Sequence, residues 1–180
     1  MYRIVSGITT LRQHLATLRS TPEVYRPHRC PSCGHGRLWH HGCYSRKAER
    51  RPESMDACLN PISIPRYLCS SCRHSCSRLP ECIPPHRWYS WLLQQQALQS
   101  LLTVYSLHRC SAVHGLCRRT VRRWWNWLAS NTLTFELFLR SRYPALGRTS
   151  DWQSFWRTCL SGMPLSGVMA WLDHDGVDVP

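Results

Sequence analysis

The stretch "SLHRCSAVHGLCRRTVRRWWNWL", residues 106–128, decides how the second half of the chain is read. At the α-helical period, Val121, Trp124, Trp125 and Leu128 share one arc, with Trp127 at its edge. Arg119, Arg122, Arg123 and Asn126 take the opposite arc, with Arg118 beside them. The first arc asks for a core. A merely solvated helix face usually mixes signs, but no acid lies between Arg118 and Asn126, so the second arc asks for an anion. Upstream, Ser106 reads as the N-cap of a short helix and Gly115 as the residue that ends it in a tight turn.

Two helices joined by "GLC" constitute a helix-turn-helix. Trp88, Trp91, Leu92, Gln95, Leu98, Leu101, Leu102 and Tyr105 keep helical spacing with one polar break at Gln95, and predict the longer helix on which that pair packs. In this arrangement Arg118, Arg119, Thr120, Arg122, Arg123 and Asn126 are the DNA-binding residues. Arginine can bridge guanine O6 and N7 in the major groove, and asparagine can read adenine. The alternative is a basic helical hairpin that binds nothing.

The first half carries "CPSCGHG" (30–36) and "CSSCRHSC" (69–76). Each C-x-x-C is a tight turn that aims two thiolates at one ion, and two such turns complete a tetrahedral Cys₄ site for Zn²⁺ from Cys30, Cys33, Cys69 and Cys72. A thioredoxin-like redox motif would need one C-x-x-C entering a helix of an α/β fold, and neither pair is so placed. The cysteines outside the two pairs, Cys43, Cys58, Cys76, Cys82, Cys110, Cys117 and Cys159, are expected to be small buried hydrophobes rather than ligands. Among them Cys76 is the expected substitute ligand; His28, His35, His40, His41 and His74 crowd the same region and could ligate or touch phosphate, but each alone reads as a surface residue. Between the pairs, "RLWHHGCYSRKAER" and "PISIPRYLC" read as strands, the second with Ile62, Ile64, Arg66 and Leu68 on one face and Ser63 and Tyr67 on the other. This is the layout of a zinc ribbon.

Composition agrees with a polyanionic partner. The formal charge is +13 and the pI near 9.7, and every basic residue but Lys47 is arginine. An odd count of 11 cysteines, with no apolar leader in "MYRIVSGITTLRQHL", points to metal ligands and free thiols rather than disulfides. The most apolar long stretch is broken by three glutamines, so no membrane span is expected, and the chain reads as cytoplasmic and nucleoid-associated.

The expected fold class is α+β in four segments: an N-terminal helix (1–22) with Leu11, Leu15 and Leu18 on one face, a small β zinc ribbon (23–83), a helix-turn-helix region (84–131) and a short helical C-terminal segment (132–180). The last segment reads as "TLTFELFLRSRY", then "SDWQSFWRTCL" with Ser150 and Gln153 as a capping box, then "PLSGVMAWL" opened by Pro164. The closing "DHDGVDVP" reads as a solvated acidic turn, too poor in oxygen ligands for a calcium loop.

On "CPSCGHGRLWHHGCYSRKAER", "IPRYLCSSCRHSCSRLPECIPPHRWY" and "HGLCRRTVRRWWNWL", with the end "PLSGVMAWLDHDGVDVP", the chain resembles short bacterial zinc-ribbon plus helix-turn-helix proteins associated with insertion sequences. These are similar to the DNA-binding N-terminal part of several transposase families. The resemblance implies binding of double-stranded DNA at element ends or a promoter, and leaves room for a homodimer and for a separate transposase or recombinase subunit. It departs at Ser111, where such units carry alanine, and at Cys117, where they carry a serine N-cap, which predicts a less well capped turn. The acids do not form the carboxylate set of a two-metal transposase, so the chain is expected not to be an enzyme. The competing readings are a transcriptional regulator unrelated to transposition, a small metal-dependent nuclease or recombinase using Asp151, Asp173 and Asp175, and an RNA-binding or protein-docking ribbon, whose cue would be stronger binding to single strands or to a partner protein.

Overall fold

The structure is a computed structural model that describes residues 3–48, 59–85 and 89–179, and in it the chain separates into two units. One runs to Ser90 and includes the tail from Asp178; the other is Trp91–Val177. The architecture is mixed: helices dominate, with two small sheets. Trp88 and Cys58 lie outside the described residues.

The first unit is organised by strands β2 (Leu38–Arg46) and β3 (Ile62–Cys69), which pair antiparallel, with β4 (Ser75–Cys76) on the other edge of β3. A second, two-stranded sheet pairs β1 (Ile4–Val5) in parallel with β5 (Leu79–Pro80). Along β3, Ile62 and Ile64 are buried and then, after Pro65, Tyr67 and Cys69. Successive side chains of a strand point to opposite faces, so these pairs lie on opposite sides of the sheet. Each face therefore meets a core at one end only: Ile62 and Ile64 pack with Leu79 and Ile83, while Tyr67 and Cys69 pack with Leu38, Tyr25 and Cys76. The change of side falls where β2 carries a bulge between His40 and Cys43, which includes Gly42 at a φ of 72°.

Helix α1 (Leu11–Ser20) starts at a capping box in which Thr10 and Gln13 exchange hydrogen bonds. Its leucines are only half-buried, and its one fully buried side chain is His14. That ring bonds the Tyr25 hydroxyl at 2.6 Å through Nδ1 and the Ser63 carbonyl at 2.9 Å through Nε2. Burial lowers the His14 pKa, so the ring is neutral: Nε2–H donates to Ser63 and Nδ1 accepts from Tyr25.

The second unit is helical: α2 (Trp91–Thr103), α3 (Leu107–Val113), α4 (Arg118–Arg142), α5 (Trp152–Gly162) and α6 (Leu165–His174). Three expectations are corrected here. The segment "TLTFELFLRSRY" is no separate helix but the continuation of α4, because the buried positions Val121, Trp124, Leu128, Thr132, Phe135 and Leu139 form one unbroken stripe. The N-cap of α5 is Asp151, whose carboxylate accepts from the Ser154 N–H at 2.9 Å; Ser150 only donates to that carboxylate. Asp173, assigned to a solvated turn, is buried on α6. At the centre of this unit the Trp156 indole N–H donates to Thr132 Oγ1 at 3.0 Å, and Trp156 meets Phe135 and Phe155 edge to face. Gln95, the polar break of α2, accepts the Leu165 N–H at 2.7 Å and donates to the Leu160 carbonyl at 3.2 Å, tying α2 to the α5–α6 corner. Among the described residues no helix is long and apolar enough to cross a membrane.

Candidate functional site

Two cysteine turns in the first unit follow one plan. The Cys30 N–H donates to the His35 carbonyl at 2.8 Å, and the Cys30 carbonyl accepts from the Gly34 N–H at 2.9 Å. At Cys69 the same bonds recur with His74 at 2.9 Å and Arg73 at 3.2 Å. The fourth residue after each leading cysteine turns left-handed, Gly34 at a φ of 74° and Arg73 at 59°.

The turns face one another so that all four sulfurs lie within 4.8 Å, Cys30 and Cys69 buried, Cys33 and Cys72 exposed. The Cys30–Cys72 and Cys33–Cys69 Sγ separations are both 3.6 Å. A disulfide would need about 2.05 Å. Tetrahedral thiolate coordination with metal–sulfur bonds of about 2.3 Å places sulfurs roughly 3.8 Å apart, so the cluster has the size of a metal site. Backbone donors prepare it for charge: the Cys72 N–H, with help from the Ser71 N–H, brings the Cys69 thiol down to about 7. At Cys72 the His74 N–H acts in the same sense, but partial desolvation within the cluster and hydrogen bonding with the three neighbouring sulfurs outweigh it and hold that thiol up at about 12. The second proton is hard to remove because like charges crowd, a conflict that a central cation resolves.

The other cysteines are of a different kind. Cys76 packs in the core with Leu38 and Tyr67, as expected of the cysteines outside the pairs, and burial raises its pKa. Cys82 and Cys159 are pushed up to about 12 by burial, the state of inert thiols. Cys43 and Cys117 are exposed rather than buried, because Cys43 lies on the uncovered strand β2 and Cys117 at a helix start.

The basic helix face stands in the second unit. Ser106 caps α3 by accepting from the Arg109 N–H, and α3 ends at His114 with Gly115 at a φ of 59°. Arg118, Arg119, Arg122, Arg123 and Asn126 are exposed and Thr120 half-buried, while Val121, Trp124 and Leu128 are buried behind them. Trp125, expected in the core, is half-buried against Trp152 of α5. Arg119, Thr120, Arg122, Arg123 and Asn126, with Cys117, line an open concavity of about 430 Å³. Among the described residues no carboxylate pairs with any of the four arginines, and the first turn of α4 contains no acid. Positive charge there adds to the positive end of the helix dipole, which costs stability unless an anion approaches.

Cys117 sits at the N-cap of α4 but makes no capping bond. Ser111 braces the turn before it: its hydroxyl donates to the Leu116 carbonyl at 2.6 Å, while its carbonyl accepts the Leu116 N–H at 3.0 Å. A hydroxyl reaching five residues ahead has no periodic signature, so in the sequence Ser111 stands out only as a departure.

The acids Asp151, Asp173 and Asp175 are not brought together as a ligand set. Among the described residues the four cysteines are the one group of three or more metal-ligating side chains that converge.

No curated protein and no solved structure matches the chain. One family model does, over residues 30–124, a span that starts at the first clustered cysteine and ends beyond the last arginine of the basic face. The match covers more than half of the sequence, and the chain belongs to the family described as a domain of unknown function, DUF6431.

Proposed function

We propose that this chain is a zinc-containing protein that binds double-stranded DNA, with α3 and α4 acting as a helix-turn-helix and Arg118 to Asn126 entering the major groove. The observation that carries the reading is the exposed arginine face of α4, which has no carboxylate partner among the described residues while the opposite face is locked into a core. The tight turn at Gly115 supports it, since it leaves the first turns of α4 open. So does the asymmetry of the side chains: arginine forks suit phosphate and guanine, and Asn126 lies one turn beyond Arg122 on the same face.

Zinc is the metal that the four-thiolate set suits best, in a closed structural site. On this reading the ribbon is a folding element and the chain binds DNA without cutting it. The resemblance to insertion-sequence proteins makes element ends the first target to test, with a separate transposase or recombinase supplying the chemistry.

Duplex titrations at several salt concentrations test the reading. Arg122→Ala should leave the thermal melt unchanged and weaken binding. If Arg122 contacts phosphate, affinity falls uniformly and the salt slope drops by about one; if it reads a base, the loss is roughly 1–3 kcal/mol at one position. Single and paired alanine substitutions at Arg118, Arg119, Arg122 and Arg123 that leave both affinity and slope unchanged would sink it.

A further inference from the structure

The three-stranded sheet has one bare end. Trp39 on β2 is directly opposite Leu68 on β3, and Leu68 is opposite Ser75 on β4, so their side chains share a face. Arg66, two residues before Leu68, lies on it too. Further along β3, Ile62 and Ile64 cover the same face with a core, but at this end Trp39 stays 58% exposed, the only exposed tryptophan among the described residues. The Arg66 guanidinium stacks over the Tyr44 ring at 5.2 Å, and because Tyr44 is opposite Ile64 this holds Arg66 at the border between the covered and the bare ends of the face. Arg37, exposed, directly precedes β2 and is anchored by its carbonyl, which accepts from both the N–H and the hydroxyl of Ser70.

The charge of the surroundings selects the occupant. The described acids of this unit are engaged elsewhere: Glu23 pairs with Arg26, Asp178 with Arg3, and Glu81 accepts the Gly7 N–H. Among the described residues, an exposed indole with arginines nearby and every acid of the unit engaged elsewhere fits a polyanion that also has aromatic faces.

We propose that this bare end, centred on Trp39, is a second nucleic-acid site, one that takes a single strand. A base stacks on the Trp39 indole beside Leu68, and Arg37 and Arg66 hold the adjoining phosphates. Such stacking is tolerant of sequence because every base has a π face. The site uses none of the residues assigned to the duplex, so the two readings stand or fall separately.

The test uses the full, zinc-loaded chain and a fluorescein-labelled oligo(dT), with a labelled duplex as the second probe. Trp39→Ala should lower oligo(dT) affinity by about five- to 150-fold, the range for loss of one stacked base, and leave duplex affinity unchanged. Trp39→Phe should retain most of the single-strand binding. Three results overturn the proposal: no oligo(dT) binding by the parent chain, which would leave the face to a protein partner; unchanged oligo(dT) affinity in Trp39→Ala; or an equal loss of oligo(dT) binding in Arg122→Ala, which would place the strand on α4. Unchanged zinc content and thermal melt of Trp39→Ala confirm that the fold is intact.

Discussion

Gly34 and Arg73 hold the same position in two cysteine turns, each four residues after a leading cysteine, each with a left-handed backbone and each donating its N–H to that cysteine's carbonyl. Glycine takes this conformation freely, whereas an L side chain pays roughly 1–2 kcal/mol for it. Open space surrounds the position a Cβ would take at Gly34, so conformation alone sets the cost of Gly34→Ala. That variant should lose about 1 kcal/mol in denaturant melts of the metal-loaded protein, and Arg73→Gly should gain about 0.5–1 kcal/mol. Opposite signs at equivalent positions are the expected signature.

His14 makes stability depend on pH. Burial lowers its folded pKa below the ordinary 6.5, with the Ser63 carbonyl opposing. The unfolded chain therefore takes up a proton first as pH falls: the contribution is complete above about 6.5 and is lost as pH drops below it toward the folded value. Compared with His14→Gln, the parent chain should lose relative stability between pH 7.5 and 5.5. A difference that stays constant across that interval would show that the ring does not titrate on unfolding.

Cys117 leaves the start of α4 without a side-chain cap. Cys117→Ser should supply one and stabilise the second unit by about 1 kcal/mol, seen as a higher melting temperature with unchanged metal content. Ser111→Ala should act in the other direction, because it removes the hydroxyl bond to Leu116 that holds the turn.

Gln95 joins α2 to the corner between α5 and α6, where α6 begins without a side-chain cap at Pro164. Gln95→Leu would complete the apolar spacing of α2 and yet should destabilise by about 1–3 kcal/mol, since the Leu165 N–H loses its acceptor. Urea denaturation of the full chain measures it; a stability gain would mean that the position is simply hydrophobic.

Local chemistry made much of this legible. The spacing of Cys30, Cys33, Cys69 and Cys72 announced the cluster, because a C-x-x-C turn positions its two sulfurs within a few residues. Helical period sorted α4 into a buried side at Val121, Trp124 and Leu128 and an exposed basic side, since both depend only on 3.6 residues per turn. The alternation of Ile62, Ile64, Arg66 and Leu68 likewise followed from the pleat.

Tertiary structure decided what periodicity cannot encode. Alternation assigns Ile64 and Leu68 to one face of β3, but only the packing of Leu79 and Ile83 over Ile64 buries one end and leaves Trp39 and Leu68 at the other. His14 became the anchor of α1 in place of its leucines because Tyr25 and Ser63, distant in sequence, converge on its two ring nitrogens. Cys76 entered the core as expected, whereas Cys43 left it for solvent, because a cysteine's role depends on which neighbours arrive around it. Spacing along the chain determines which side chains can act together; burial is a sum over long-range contacts, and it settles which of them do.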